Sequence, residues 1–211
     1  MSYLTIALVF MVASCYAQAP TDAATREGAG TMAEDTKTIV LGGGCFWCLE
    51  AAFELVPGVV SVESGYAGGE REAPSYEQVS TGLTGHAEVV RVGFNPELVS
   101  LPTLFELFFR IHDPTTEDRQ GADIGTQYRS IILYADEAQK KAAEAAIREA
   151  APRYARPIVT ELEALGAFWP AEDYHQDFYR KNPNYGYCRA VVAPKVEKAR
   201  SFVDQLVPAK P

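Results

Sequence analysis

The sequence predicts an α+β fold of the split β-α-β kind, and three observations point to it. Apolar segments follow one another in the order β-α-β-β-α-β, with a further helix and strand appended. Their periodicities separate cleanly. Val59 to Tyr66 and Ala87 to Phe94 alternate and are β-branched, whereas Leu101 to Ile111 places Leu101, Leu104, Phe105 and Phe108 on one helical face. Turn residues mark the junctions, notably Pro57-Gly58 and the Gly-rich run Gly65 to Gly69.

Taken in order, Thr38 to Leu41 is a short strand, which three glycines turn into a helix from about Cys45 to Leu55. The two alternating strands follow, and Pro102 can open the next helix because its fixed φ suits a first turn. Tyr128 to Tyr134 reads as a strand. Asp136 caps the Ala-rich helix Glu137 to Ala150, with Gln139 placed to complete a capping box. Ile158 to Leu162 is the last strand. A short helix over Ala171 to Lys181 then leads to a Pro/Asn/Gly-rich loop carrying Cys188, and Pro194 to Leu206 is a final helical stretch. This is the order of a ferredoxin-like α/β plait with an additional C-terminal helix and loop.

A chain of 211 residues with 47% hydrophobic content is long enough for one domain plus tails. Its net charge of −9 and lack of a Lys/Arg run argue against a nucleic-acid partner. Leu4 to Ser14 is apolar but too short for a typical span, and reads as the core of an export signal over residues 1–17, although MSYL lacks the usual basic residue. Two processing routes stay open: cleavage after Ala17, or a lipoprotein signal over 1–14 that leaves Cys15 lipidated as a possible anchor. Residues 18–37 lack apolar periodicity and read as a flexible linker, which gives the domain residues 38–211. Either route implies an exported protein, periplasmic or envelope-anchored in a bacterium. Of the four cysteines, Cys45, Cys48 and Cys188 would then remain, and an odd count leaves one thiol unpaired.

In GGGCFWCLEAAF, Cys45 falls at a helix start, where free amide N–H groups favour a thiolate. The preceding glycines leave room for a substrate, and Phe46 and Trp47 offer apolar surface fitting an S-methyl group. Other readings of the pair are a static Cys45–Cys48 disulfide, half a metal site for which no second ligand pair is visible, and the strand, Cys-x-x-Cys, helix pattern of dithiol-disulfide exchange proteins. In GHAEVVRVGF, Glu88 opens an otherwise apolar row of Val90, Val92 and Phe94. Desolvated, it would hold a proton at neutral pH and could donate it; at the wet end of the strand it would be ordinary. Tyr76, Tyr128 and Asp123 lie in Gly-rich polar segments, where filler and turn roles are the simpler readings.

Together these segments resemble the peptide methionine sulfoxide reductase A family from about Ile39 to Lys195. The resemblance rests on GCFWC, SGYAGG, SYEQVSTGLTGHAEVV, HDPTTEDRQGADIGTQYRS and NPNYGYC in that order. It implies reduction of methionine S-sulfoxide, protein-bound and free, by a monomer that needs no cofactor. Cys45 is the implied nucleophile, Phe46 and Trp47 the methyl pocket, and Glu88 the proton donor. Tyr76 and Tyr128 would hold the sulfoxide oxygen, with Asp123 ordering the polar side. The Cys45 sulfenic acid would be resolved by Cys188, or alternatively by Cys48, and the disulfide reduced by thioredoxin or a thioredoxin-like protein. No cysteine follows Cys188, so a relay to a further thiol there is not implied.

Overall fold

The computed structural model describes residues 36–206. The export signal, the Cys15 anchor and nearly all of the linker lie outside them. Among the described residues, no helix is long and apolar enough to cross a membrane.

Six strands form one sheet: β1 (Lys37–Gly43), β2 (Val59–Ala67), β3 (Ala87–Phe94), β6 (Ser130–Tyr134), β7 (Glu161–Ala164) and β8 (Trp169–Pro170), in the order β7-β6-β1-β3-β2-β8. A two-residue pair, β4 (Arg119–Gln120) and β5 (Asp123–Ile124), stands apart. The inner order β6-β1-β3-β2 is antiparallel throughout and is the split β-α-β core that the element order predicted. Helices α1 (Phe46–Phe53) and α3 (Leu101–Ile111) cross over one face, and α4 (Glu137–Ala150) carries the chain from β6 to the parallel strand β7. The Glu88 row of β3 faces the helices. Val90, Val92 and Phe94 join α1 and α3 in the main core, while Ala87 and Val89 line a smaller cluster covered by Leu165 and Phe168.

Local chemistry explains the helix limits. Ser100 accepts the Thr103 N–H at the start of α3, with Pro102 in the first turn. Asp136 accepts the Gln139 N–H, but Gln139 Oε1 returns to the Ala135 N–H rather than to the cap residue itself, and its amide donates to Thr38 of β1. The expected capping box is therefore shifted by one residue and ties α4 to the sheet.

Four expectations change. The first strand opens one residue earlier than Thr38, because Lys37 already pairs with Phe94. A short helix α2 (Tyr76–Ser80), with a complete capping box between Ser75 and Gln78, was not anticipated. The helix expected over Ala171 to Lys181 shrinks to α5 (Phe178–Lys181): Gln176 bonds the backbone N–H and C=O of Ser64, and Asp177 sits at φ 56°, which helix cannot accommodate. Cys188 does not lie in an open loop. It begins a π-helical turn, Cys188–Val192, that runs into α6 (Ala193–Leu206), and it is fully buried.

Candidate active site

Cys45 is the residue before α1, at φ −56° and ψ 125°, with its side chain making no cap hydrogen bond. The turn is built from glycine for internal reasons. Gly44 has φ +97°, and a Cβ there would stand 2.6 Å from the Gln120 side chain; at Gly43 it would stand 3.0 Å from Phe108. These close approaches face the protein interior, so the glycines serve packing of the turn rather than substrate access. Gly44→Ala is expected to lower unfolding stability by about 2 kcal/mol or more through strain and displacement of Gln120, read as a shift of the denaturant midpoint.

The first free amide of α1 is already used. The Phe46 N–H donates to Glu88 Oε2 at 3.1 Å, fastening the acid of β3 beside the Cys45 turn. Glu88 is 2% exposed, which removes the wet-end reading. Burial pushes its carboxyl up to about 8, opposed by the Phe46 N–H and aided by the nearby Asp123 and Cys48. At neutral pH the side chain therefore holds a proton.

Cys45 is 6% exposed, and burial also raises its thiol, reinforced by the hydrogen bond to Cys48 and, at the higher pH where Glu88 ionises, by that carboxylate; only the Tyr187 hydroxyl works the other way. The substrate-free thiol is thus neutral, not the resting thiolate expected from its place at a helix start, because desolvation outweighs the helix end here. Cys48 shifts oppositely, lowered by its hydrogen bond with Cys45 and by Lys195. All three thiols among the described residues are free.

Around this buried floor the predicted polar residues converge. Tyr76 and Tyr128 are half-buried, and both are raised first by burial and then by Glu88, with Cys45 and Asp123 also acting on them. Glu172 holds Tyr76 by accepting its backbone N–H at 2.9 Å, while Arg129 holds the Tyr128 turn through the Thr126 and Gly85 carbonyls and Glu161. Asp123 on β5 accepts the Tyr187 O–H at 2.6 Å, and Tyr187 also hydrogen-bonds Cys45. Phe46 is buried beneath Trp47, whose indole stacks on Phe178 at 3.7 Å and meets the Tyr187 edge at 5.9 Å.

Sequence reasoning missed Tyr187, Phe178 and His175. The His175 ring lies 4.9 Å from Phe46 and 4.5 Å from Tyr76; neither nitrogen makes a hydrogen bond, and Nε2 stands 4.0 Å from Glu172 Oε2. The signal available for Tyr187 was its place beside Cys188 in NYGYC. Cys188 is fully buried, and its thiol is raised by burial first and then by the charge of Cys48. No group of three or more His, Cys, Asp or Glu side chains that could hold a metal ion occurs among the described residues.

A buried cysteine at a helix start, with a protonated carboxyl fixed to the next amide and an aromatic wall beside it, defines a thiol-based oxidoreductase. The peptide methionine sulfoxide reductase family profile matches residues 37–206, and the chain belongs to that family. It is 55% identical over 166 residues to the peptide methionine sulfoxide reductase MsrA of Sulfolobus acidocaldarius, covering 78% of this chain and 94% of that one. The structure resembles Mxr1 from Saccharomyces cerevisiae in reduced form, with a TM-score of 0.70, 38% identity and coverage of 73% of this chain and 90% of that chain. It also resembles Mxr1 in complex with Trx2, with a TM-score of 0.50, 28% identity and coverage of 68% and 85%.

Proposed function

We propose that the protein reduces methionine S-sulfoxide, free and within oxidised proteins, to methionine, with Cys45 as nucleophile and Glu88 as proton donor. The reaction moves one oxygen atom from the methionine sulfur to Cys45. Glu88 protonates the sulfoxide oxygen while the Cys45 sulfur attacks. The thiol proton returns to the carboxylate, methionine leaves, and a sulfenic acid remains. Tyr76 and Tyr128 hydrogen-bond the oxygen in this reading. Trp47 and Phe46 receive the methyl group, and Asp123 orders the polar side through Tyr187. The observation that carries the proposal is the buried, proton-bearing Glu88 bonded to the amide next to Cys45.

The sulfenic acid is then condensed with a neighbouring thiol, Cys188 or Cys48, and the disulfide reduced by a thioredoxin-type dithiol, as the Trx2 complex of the yeast relative supports. No prosthetic group is required. The apolar segment Leu4 to Ser14 supports export to the bacterial periplasm or envelope, and the mass of the mature N-terminus distinguishes cleavage from Cys15 lipidation.

Incubation with excess sulfoxide peptide and no reductant is expected to yield about one methionine per protein and then stop. Reduction of insulin-type disulfides dependent on Cys45 and Cys48, with no methionine released, would instead support the dithiol-exchange reading.

A further inference from the structure

Lys195 stands in the first turn of α6, and its Nζ is buried. None of the ion pairs among the described residues includes it. A buried ammonium is costly unless a neighbour answers its charge, and the side chain that does so here is Cys48, whose thiol is lowered by the charge of Lys195 and by a hydrogen bond with it. A Cβ on Gly44 would lie 3.8 Å from Nζ, so the ammonium sits against the glycine next to Cys45. Its charge reaches Cys48 on α1 and His112 at the end of α3. His112 cannot share that charge. Burial first, with Lys195 assisting, pushes it down to about 4, and its ring is occupied by Phe108 O and Ser130 Oγ.

We propose that Lys195 is a positioning residue that holds Cys48 as the anion closing the first disulfide with Cys45. The proposal rests on the reading that Cys45 becomes a sulfenic acid. Residues at the start of a helix and three positions later stand over the same turn, and here the two sulfurs already interact. The charged or titratable groups acting on Cys48 or acted on by it are Cys45, Glu88, Asp123, Tyr187, Cys188 and Lys195. Lys195 is the one cation among them. A single negative charge on the thiol pair therefore rests on Cys48, facing the ammonium, while Cys45 faces Glu88 and stays protonated until substrate arrives.

In the step itself the Cys48 thiolate attacks Cys45 Sγ, the S–O bond breaks and an S–S bond forms. Oxygen leaves as hydroxide and takes a proton from Glu88 to become water. Cys45 sulfur is reduced, Cys48 sulfur is oxidised, and an external dithiol later returns both to thiols. Cys188 is fully buried and feels the charge of Cys48; in this scheme it acts after the Cys45–Cys48 bond has formed.

The test adds one equivalent of a methionine sulfoxide peptide to full-length wild type, Lys195→Met, Lys195→Arg and Cys48→Ser. Quenched samples are analysed for methionine, for dimedone-trapped Cys45 and for each disulfide. Normalised to methionine released in the same mixture, Lys195→Met is expected to close the Cys45–Cys48 bond on the order of ten-fold more slowly at pH 7. The gap should vanish as pH rises past the ordinary cysteine value of about 8.5. Lys195→Arg should restore much of the rate, and Cys48→Ser should accumulate trapped sulfenic acid. An unchanged pH profile in Lys195→Met overturns the proposal, as does a Cys45–Cys188 bond forming in Cys48→Ser as fast as wild type closes its first disulfide. Failure of wild type to release methionine would instead refute the sulfoxide reading beneath it.

Discussion

Cys45→Ser is expected to form no methionine from a sulfoxide peptide, with a loss of at least about 10³-fold in a single turnover. A serine hydroxyl in this position cannot act as the electron donor: oxygen is far less nucleophilic toward sulfur and cannot carry a stable equivalent of the sulfenic acid. Glu88 would still protonate the sulfoxide oxygen, yet no sulfur would be present to take it. The fold should survive, because the exchange alters one side chain that is 6% exposed and next to the Tyr187 hydroxyl, which can partner a serine. Quantifying free methionine after mixing excess enzyme with substrate checks the expectation. Methionine at wild-type yield from this variant would place the nucleophile elsewhere, with Cys48 the next candidate.

How far this site was legible in sequence depends on what each residue contributes. The sheet order follows from element order and alternation, and both persist in the structure because each strand buries one face against helices. Cys45, Glu88, Tyr76, Tyr128 and Asp123 were legible as candidates because each is a polar or reactive residue in an apolar or Gly-rich setting. Their convergence was not, since it depends on long-range bonds such as Phe46 to Glu88 and Tyr187 to Asp123. The protonation state of Cys45 was misread for a related reason. A helix start is visible in sequence, whereas the burial of the turn and its charge neighbours is not. The Ala171 to Lys181 segment misled in the same way, as its polar side chains bond to Ser64, Tyr66 and Tyr76 instead of supporting a helix.

Glu88→Gln separates chemistry from stability, because the two effects should run in opposite directions. Glutamine keeps the shape and can still accept the Phe46 N–H, but has no acidic proton to give. Single-turnover methionine formation is therefore expected to fall about 10²- to 10⁴-fold with sulfoxide affinity little changed. In wild type, the rate should fall as pH rises through about 8, where Glu88 loses its proton, and the variant should lack that fall. Stability responds with the other sign. The folded carboxyl titrates near 8 and the unfolded one near 4.3, so between these values the folded state binds more protons and loses stability as pH rises. Removing the carboxyl removes that loss. Glu88→Gln should thus gain relative to wild type as pH climbs from about 4.5, levelling off above 8 at a difference on the order of 5 kcal/mol. Glu50, buried against Ser64 and raised by burial to about 7, contributes a slope of the same sign in both proteins and cancels in the comparison. Chemical unfolding at pH 5, 7 and 9 gives the stability difference, and quenched-flow methionine release at the same pH values gives the rate. A variant that is slower yet gains no stability over wild type between pH 5 and 9 would mean that Glu88 is already ionised in the folded protein at neutral pH, and the proton required by the sulfoxide oxygen would then have to come from Tyr76 or Tyr128.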